Sequence, residues 1–482
     1  MDIKIVSLPQ KLGRTSPHSL IGDMHLFRRL LASSVVFLYF TCICTLPSAA
    51  QQQSPPSPLT LREAIQYALD NYPAIRASTA RISAQEAGVD LAQTSYLPRL
   101  DSTALANRAT RNNVPGLLLP GSLIPPISGS VVPSSGSNAW GSAAGLMLSW
   151  EPVDFGLRGA TVELARTQVG RASAAADLTR LDIGTGAADA FLRLAAAQET
   201  VRAARANVER IQVLANSISV LVQNQLRPGA DESRARAELA AARILLIQAE
   251  RAEQVSRANL GKWLGVSAAS VQIDADSLMQ MPTELLPVPP EVAAHPLAVT
   301  QMATVSSVRA FERVLSRSYF PRFNFQSAYS WRGSGWPTVG DPHGLTTTAT
   351  NWAVGLTATF PIFEIFQLHA RKRIEGHNET AKLALYDKVV QDLRSQSEQA
   401  RAEFEGARRV AENTPVQLEA ARVLEQQSQA RYQAGLATIV EVTDSQRLLL
   451  QAEVDDAVAR FGVWRALVAE AAAKGDLSDL LR

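Results

Sequence analysis

The sequence Tyr-Leu-Pro-Arg-Leu at residues 96–100 returns 223 residues later as Tyr-Phe-Pro-Arg-Phe at residues 319–323. Pro73 and Pro296 have the same separation. In both stretches a helical pattern stops and an alternating pattern begins, because proline has no N–H to donate and pushes the preceding residue out of helical geometry. Because both pairs of motifs are separated by the same 223 residues, the sequence predicts an internal duplication. Such a repeat has to be identified before a fold is assigned.

Each copy is predicted to contain a helix, a β-hairpin, a very long helix, a tight turn and a returning helix. The copies span residues 59–264 and 296–474, with a proline-rich linker at 265–295 and a tail at 475–482. We place the hairpins at about 97–150 and 321–360, the long helices at 156–226 and 364–433, and the returning helices at 233–264 and 438–474. The helix–strand junctions are assigned to Tyr96, Pro98, Pro152, Tyr319, Pro321 and Pro361. Pro152 and Pro361 are expected to close the strands, and Pro415 to kink or loosen the second long helix.

The predicted strands alternate apolar and polar residues, most clearly in the second hairpin. Phe323, Phe325, Tyr329 and Trp331 share one face, and polar side chains such as Asn324 occupy the other. Each run has about ten residues, the length that a tilted strand needs to cross a bilayer. Aromatic residues gather near the strand ends, as in membrane barrels. The alternative is a half-buried hairpin in a soluble domain.

The first 50 residues are typical of a signal peptide that is cleaved before Gln51. Arginines precede a short apolar run, and small residues occupy the cleavage positions. Translation from Met24 would give a peptide of ordinary length, and an uncleaved anchor is the alternative. Cys42 and Cys44 both lie in this peptide, so the mature chain would have no cysteine for disulfide or thiolate–metal chemistry. Residues 51–58 are predicted to be a flexible leader.

Composition and charge exclude several classes of function. Removing the predicted signal peptide takes away five Lys/Arg and two Asp/Glu, which leaves a mature net charge of −1 and no indication of a nucleic-acid partner. The histidines are scattered, and His369 and His377 are better explained as a solvated helix face than as metal ligands. No catalytic, cofactor or metal motif is present, so the chain is not predicted to be an enzyme.

Several motifs in order resemble the TolC-like outer-membrane efflux family. These are Leu59–Ala64 with Asn71-Tyr72-Pro73, both Tyr-x-Pro-Arg junctions, Pro152–Arg158, and above all Ala434–Asp444. The resemblance implies a mainly α fold with β-hairpins, assembled as a homotrimer. A 12-stranded transmembrane β-barrel in the outer membrane would continue into a long α-helical barrel in the periplasm.

The function that the resemblance implies is passive export. The chain would be the exit duct of a tripartite system, contacting outer-membrane lipid, a periplasmic adaptor protein and an inner-membrane RND or ABC transporter. Drugs or other small toxic compounds are the expected cargo, with type I protein secretion or metal efflux as the alternative. A soluble periplasmic coiled-coil adaptor is the competing class, although it leaves the bilayer-length strands unexplained.

The resemblance also nominates functional residues. The turns at Arg227-Pro228-Gly229 and Gly435-Leu436 are expected to dock the adaptor, and their glycines to supply the left-handed conformation that ends a helix. Glu441 and Asp444 match carboxylates that narrow the periplasmic entrance in the family. Three positions apart, they share one helix face. The alternative for Glu441, and the preferred reading of its counterpart Asp231, is a helix-start carboxylate favoured by the dipole.

Overall fold

The computed structural model describes residues 58–110, 138–282, 292–334 and 342–481. The predicted signal peptide, both cysteines, Met24 and nearly all of the leader therefore lie outside the described residues. No helix in the described ranges combines the length and the apolarity needed to cross a bilayer.

Most of the described chain is helical, and the predicted mainly α fold with β-hairpins is confirmed. The helices are α1 (Leu61–Asn71), α2 (Pro73–Thr94), α3 (Leu157–Gln223), α4 (Gly229–Leu264), α5 (Pro296–Arg317), α6 (Glu364–Gln433) and α7 (Ile439–Lys474). The strands are β1 (Arg99–Thr110), β2 (Asn138–Val153), β3 (Arg322–Ser334) and β4 (Ala349–Thr359). With 67 and 70 residues, α3 and α6 each extend about 100 Å at 1.5 Å per residue.

Two helix boundaries differ from those predicted from the sequence. The first long helix ends at Gln223, three residues before the predicted end. The first returning helix begins at Gly229, four residues before the predicted Ser233, because Asp231 and Glu232 already occupy its first turn, where the helix dipole favours acidic side chains. Helix α6 runs through Pro415, and the kink or loosening expected there stays a prediction.

The two hairpins form one antiparallel sheet in the order β1-β2-β3-β4. The register places Leu148 opposite Leu100, Trp150 opposite Phe325, and Tyr329 opposite both Leu146 and Trp352. These apolar side chains therefore lie on one face of all four strands, since side chains alternate between faces. The opposite face carries polar residues, including Asp101, Ser149, Asn324 and Thr357.

Pro152 does not close β2 as predicted, because the strand runs on to Val153. The register shifts between Trp150 and Val153, so Pro152 lies within an irregularity of the ladder. Proline is tolerated at such a point because no ladder N–H is required there. The other prolines lie outside the strands: Pro98 immediately before β1, Pro321 immediately before β3, and Pro361 two residues after β4.

The helices keep the order of the strands to which they connect. Helix α2 packs on α3, α3 on α5, and α5 on α6. The returning helices lie against this row, α4 on α3 and α7 on both α6 and α3. The largest hydrophobic cluster surrounds the fully buried Phe191 and Phe461, which belong to α3 and α7. A Cβ atom at Gly186 would lie 2.5 Å from the Trp263 ring, so glycine there permits close packing of α4 on α3.

Candidate functional site at the paired helix turns

Both predicted turns end their long helices with the same pair of backbone hydrogen bonds. The bonds run from Gln225 N to Val222 O and Leu226 N to Leu221 O in the first turn, and from Gly435 N to Tyr432 O and Leu436 N to Arg431 O in the second, with lengths of 2.8–3.0 Å. This pattern defines a helix end with one left-handed residue. The turns correspond at an offset of 210 residues.

The left-handed residue differs between the turns. In the second turn it is the expected glycine, Gly435, with φ of 75°. In the first turn it is Gln225, with φ of 60°. The prediction that Gly229 supplies this conformation is wrong, because Gly229 is the first residue of α4. A side chain in the left-handed region costs about 1–2 kcal/mol, so the first turn carries strain that the second avoids.

The turns share one hydrophobic cluster and therefore lie side by side. It joins α3, α4, α6 and α7 and includes Ile218 of α3 and Val442 of α7, both fully buried, and Tyr432 of α6, which is 5% exposed. In contrast to the buried residues of this cluster, the leucines that follow the left-handed residues are exposed to solvent. Leu226 is 68% exposed and Leu436 is 71% exposed. Residues at this position often pack back on their own helix, so two outward-facing leucines form an apolar surface at the turns.

Arg227 connects the two turns directly. Its guanidinium carbon lies 4.8 Å from the centroid of the Tyr432 ring, and its Nη2 donates to the Tyr432 carbonyl at 3.5 Å. Burial raises the pKa of the Tyr432 phenol. The positive charge of Arg227 partly offsets this increase, and the negative charge of Asp231 adds to it. The phenol is therefore neutral at physiological pH, and its hydroxyl has no hydrogen-bond partner in the described part of the chain.

Glu441 caps the helix that it begins. Its Oε1 accepts hydrogen bonds from Thr438 N at 3.2 Å and Thr438 Oγ1 at 3.4 Å, and Thr438 Oγ1 accepts from Glu441 N in return. This reciprocal arrangement is a capping box. The Arg431 guanidinium lies 3.9 Å from the carboxylate, and the side chain remains 47% exposed. The helix-start role, considered as the alternative, is thus present in the structure.

Asp444 lies one turn further along α7 and is 56% exposed. Its carboxylate is 3.6 Å from Arg447, whose guanidinium also pairs with Glu238 of α4 at 2.7 Å. The neighbouring arginine therefore offsets part of the negative charge of Asp444. Glu441 and Asp444 both lie within the first two turns of the returning helix α7.

Sequence reasoning missed the partners that organise the turns: Tyr432, Arg447 and Glu238. It also missed the paired Arg210 and Glu453, which join α3 to α7 at 2.8 Å. These contacts link residues that are more than 200 positions apart. The 210-residue repeat aligns the turns with each other, but it does not indicate which side chains meet across them.

The junction residues lie at the opposite end of α3 and α6, about 100 Å of helix from the turns. Tyr96 accepts a hydrogen bond from Trp150 Nε1 at its carbonyl, 3.2 Å away, and its ring lies 5.6 Å from the Arg158 guanidinium. The Tyr319 ring lies 5.4 Å from His369. Within the described ranges, no group of three or more His, Cys, Asp or Glu side chains could hold a metal ion.

Comparisons with known proteins agree with this architecture. A family model described as "Outer membrane efflux protein" matches residues 64–266 and 300–469. The pyoverdine export outer membrane protein OpmQ of Pseudomonas aeruginosa is 26% identical over 412 residues, which cover 81% of this chain and 79% of OpmQ. Protein CyaE of Bordetella pertussis is 28% identical over 226 residues, which cover 44% of this chain and only 41% of CyaE.

Solved structures show the same fold. The outer-membrane channel OprN superposes with a TM-score of 0.68 at 21% identity, covering 86% of this chain and 89% of that channel.

Proposed function

Because the chain belongs to the outer membrane efflux protein family, we propose that three copies form a passive duct through the outer membrane. An inner-membrane pump would supply the energy and expel drugs or other small toxic compounds through it. The helices α3, α4, α6 and α7 would line or surround the passage in the periplasm. The protein itself would perform no chemistry.

The apolar face that runs across all four strands carries this proposal. Trp352, Val354 and Leu356 of β4 are 77%, 58% and 68% exposed, on the same face as Tyr329 and Trp150. A face this apolar is unfavourable in water and suits the hydrocarbon layer of a bilayer. In the described residues β1 and β4 each pair on one side only. Three such sheets joined at these edges would close into 12 strands with no free edge.

The class of cargo is proposed from the relatives. OpmQ is named for the export of pyoverdine, and we propose small organic molecules for this chain. Protein secretion and metal efflux remain alternatives within the family. A deletion strain that is tested against a panel of toxic compounds, and complemented with the intact gene, would identify the cargo.

The turns are proposed as the docking surface for a periplasmic adaptor that couples the duct to an RND or ABC transporter. The exposed Leu226 and Leu436, beside Arg227, Pro228 and Gly229, support this assignment. The double variant Leu226→Ser/Leu436→Ser should abolish export while the trimer still assembles. Leu91→Ser on α2, where the leucine is 71% exposed, is the matched control. Export by the double variant equal to that of the control would rule out docking through the leucines.

Glu441 and Asp444 are proposed to constrict the entrance. Glu441→Gln separates this role from capping, because glutamine also completes a capping box. Paired with Asp444→Asn, it should weaken block of the channel by divalent cations in single-channel recordings, with little change in thermal stability. Unchanged block with unchanged stability would leave Glu441 as a cap only.

The decisive test of the duct is its assembly in a membrane. Cell fractionation followed by an unboiled gel should show an outer-membrane trimer that converts to monomer on boiling. A monomer that remains in aqueous buffer without detergent would contradict the proposal and favour the soluble adaptor.

A further inference from the structure

A basic cavity lies where the last turn of α5 meets the start of α3. It measures about 510 Å³ and is lined by Gly156, Ala160 and Glu163 of α3 with Arg313, Ser316 and Arg317 of α5. Phe320 forms its border towards the sheet. The cavity is at the junction end of the helices and has no connection with the turns.

The charge of the cavity comes from two arginines on one face of α5. Arg313 and Arg317 are four residues apart, so their side chains are neighbours. Both are exposed, and neither has an ion pair or a side-chain hydrogen bond among the described residues. The carboxylate in the lining, Glu163, already lies 3.8 Å from Arg166. Two guanidinium groups are thus available to an anion, and guanidinium geometry matches a phosphate in a bidentate manner.

An apolar surface begins directly beside these arginines. Phe155 stacks on Phe320 with ring centroids 5.4 Å apart and contacts Phe323 at 6.2 Å. Phe323 opens the apolar face of β3. Phe155 has φ of 51°, a strained conformation for a bulky residue. The turn therefore keeps an aromatic ring, 44% exposed, at the border between the arginines and the sheet.

We propose that this cavity binds the phosphate of an anionic glycerophospholipid whose acyl chains lie on the apolar face of the sheet. The inference rests on the proposed function, which places this face in the outer membrane. Amphipathic and basic side chains concentrate at the boundary between hydrocarbon and water. Arg317 lies about one helical turn, and Arg313 about two turns, before Phe320.

A lipid explains the arrangement better than free phosphate does. Inorganic phosphate would use the arginines and leave the adjoining aromatic rings without a partner, whereas a phospholipid uses both. The cavity is also complete within one copy. It lies between α3 and α5, the inner rows of the helical layer, whereas copies would join at the outer rows that lead to β1 and from β4.

Native mass spectrometry of the detergent-purified trimer tests the proposal. The probes are phosphatidylglycerol, phosphatidylcholine and inorganic phosphate, and the variant is Arg313→Gln/Arg317→Gln. We expect wild-type protein to retain phosphatidylglycerol in preference to phosphatidylcholine. The variant should retain at least about ten-fold less of it, given the strength of hydrogen bonds to charged groups. Arg76→Gln/Arg81→Gln on α2 is the matched control, because it removes the same charge from two exposed arginines far from the sheet.

Three results would overturn the proposal: equal retention by variant and wild type, equal loss in the control variant, or displacement of phosphatidylglycerol by inorganic phosphate. An unboiled gel of each sample verifies that the variants assemble. If the wild-type chain forms no detergent-dependent trimer, the proposed function fails. If the trimer forms but the arginines do not affect lipid retention, only the lipid site fails.

Discussion

The two helix turns have the same backbone and different side chains. Each ends a long helix with the same two hydrogen bonds and starts a returning helix four residues after the left-handed position. The second turn has Gly435 at the left-handed position and the Thr438–Glu441 capping box. The first has Gln225 there, and Pro228 at its helix start makes no side-chain cap.

The comparison shows that the chain reversal depends on backbone geometry that several residue types can supply at different energetic cost. The second turn is locally stable, because glycine and the capping box suit their positions. The first turn is locally strained and is held by contacts from outside, chiefly Arg227 on Tyr432 and the shared hydrophobic cluster. Four measurements test this difference between the turns.

The largest effect should come from proline at the left-handed position. Gly435→Pro fixes φ near −65° and removes the hydrogen bond to the Tyr432 carbonyl, which should cost about 3 kcal/mol or more of unfolding free energy. Gln225→Pro should cost a similar amount, since its backbone makes the same bond. Denaturant unfolding of the purified protein measures both, with Gly435→Asn as the control, because asparagine tolerates φ above zero. A mild effect in only one turn would show that the turns are not equivalent.

Removal of the cap should have the next largest effect. Thr438→Ala should lower the unfolding free energy by about 1 kcal/mol, because the Glu441 N–H loses its acceptor, Thr438 Oγ1. Pro228→Ala in the first turn removes no side-chain cap and serves as the comparison. Hydrogen exchange at the first turns of α4 and α7 should reveal faster exchange in α7 only. Equal exchange in the two variants would argue against the capping box as a source of stability.

Relief of strain should have a smaller effect of opposite sign. Gln225→Gly removes the left-handed penalty of a side chain but adds the entropy cost of glycine, so a net gain of about 0.5–1 kcal/mol is expected. The reciprocal Gly435→Gln should lose a similar amount. A thermal melt of each variant checks the signs, and a loss of stability in Gln225→Gly would show that the first turn is not strained.

The contact between the turns should have the smallest effect. A double-mutant cycle with Arg227→Gln and Tyr432→Leu should give a coupling energy of about 0.5 kcal/mol, typical of a cation–π pair at a partly exposed site. A coupling of zero would mean that the hydrophobic cluster alone holds the first turn in place.

The order and approximate limits of the helices and strands could be predicted from the sequence, because prolines, glycines and hydrophobic periodicity mark them. The proline junctions, the alternating strands and Gly435 each act through local backbone geometry. Gln225 was not predicted as the left-handed residue, because glutamine has no preference for φ above zero. The start of α4 lies four residues before its predicted position, because the helix already begins at Gly229, directly after Pro228.

The side-chain pairs of the candidate site could not be predicted at all. Arg227 and Tyr432 are 205 residues apart, and their contact depends on how two long helices pack. The same holds for the arginine cavity, where α3 and α5 come together from different copies of the repeat. A single sequence gives the elements of each copy, while the relation between the copies follows only from the packed structure.

Among the described strands, β1 and β4 each pair on one side only, and this has a consequence for biogenesis if the proposed trimer forms. A single chain would then expose two unpaired strand edges, each able to pair with another extended polypeptide. Assembly would require an encounter of three chains, so its yield would rise steeply with local concentration. The supply of finished ducts would depend as much on the concentration of newly made chains as on the stability of any one of them.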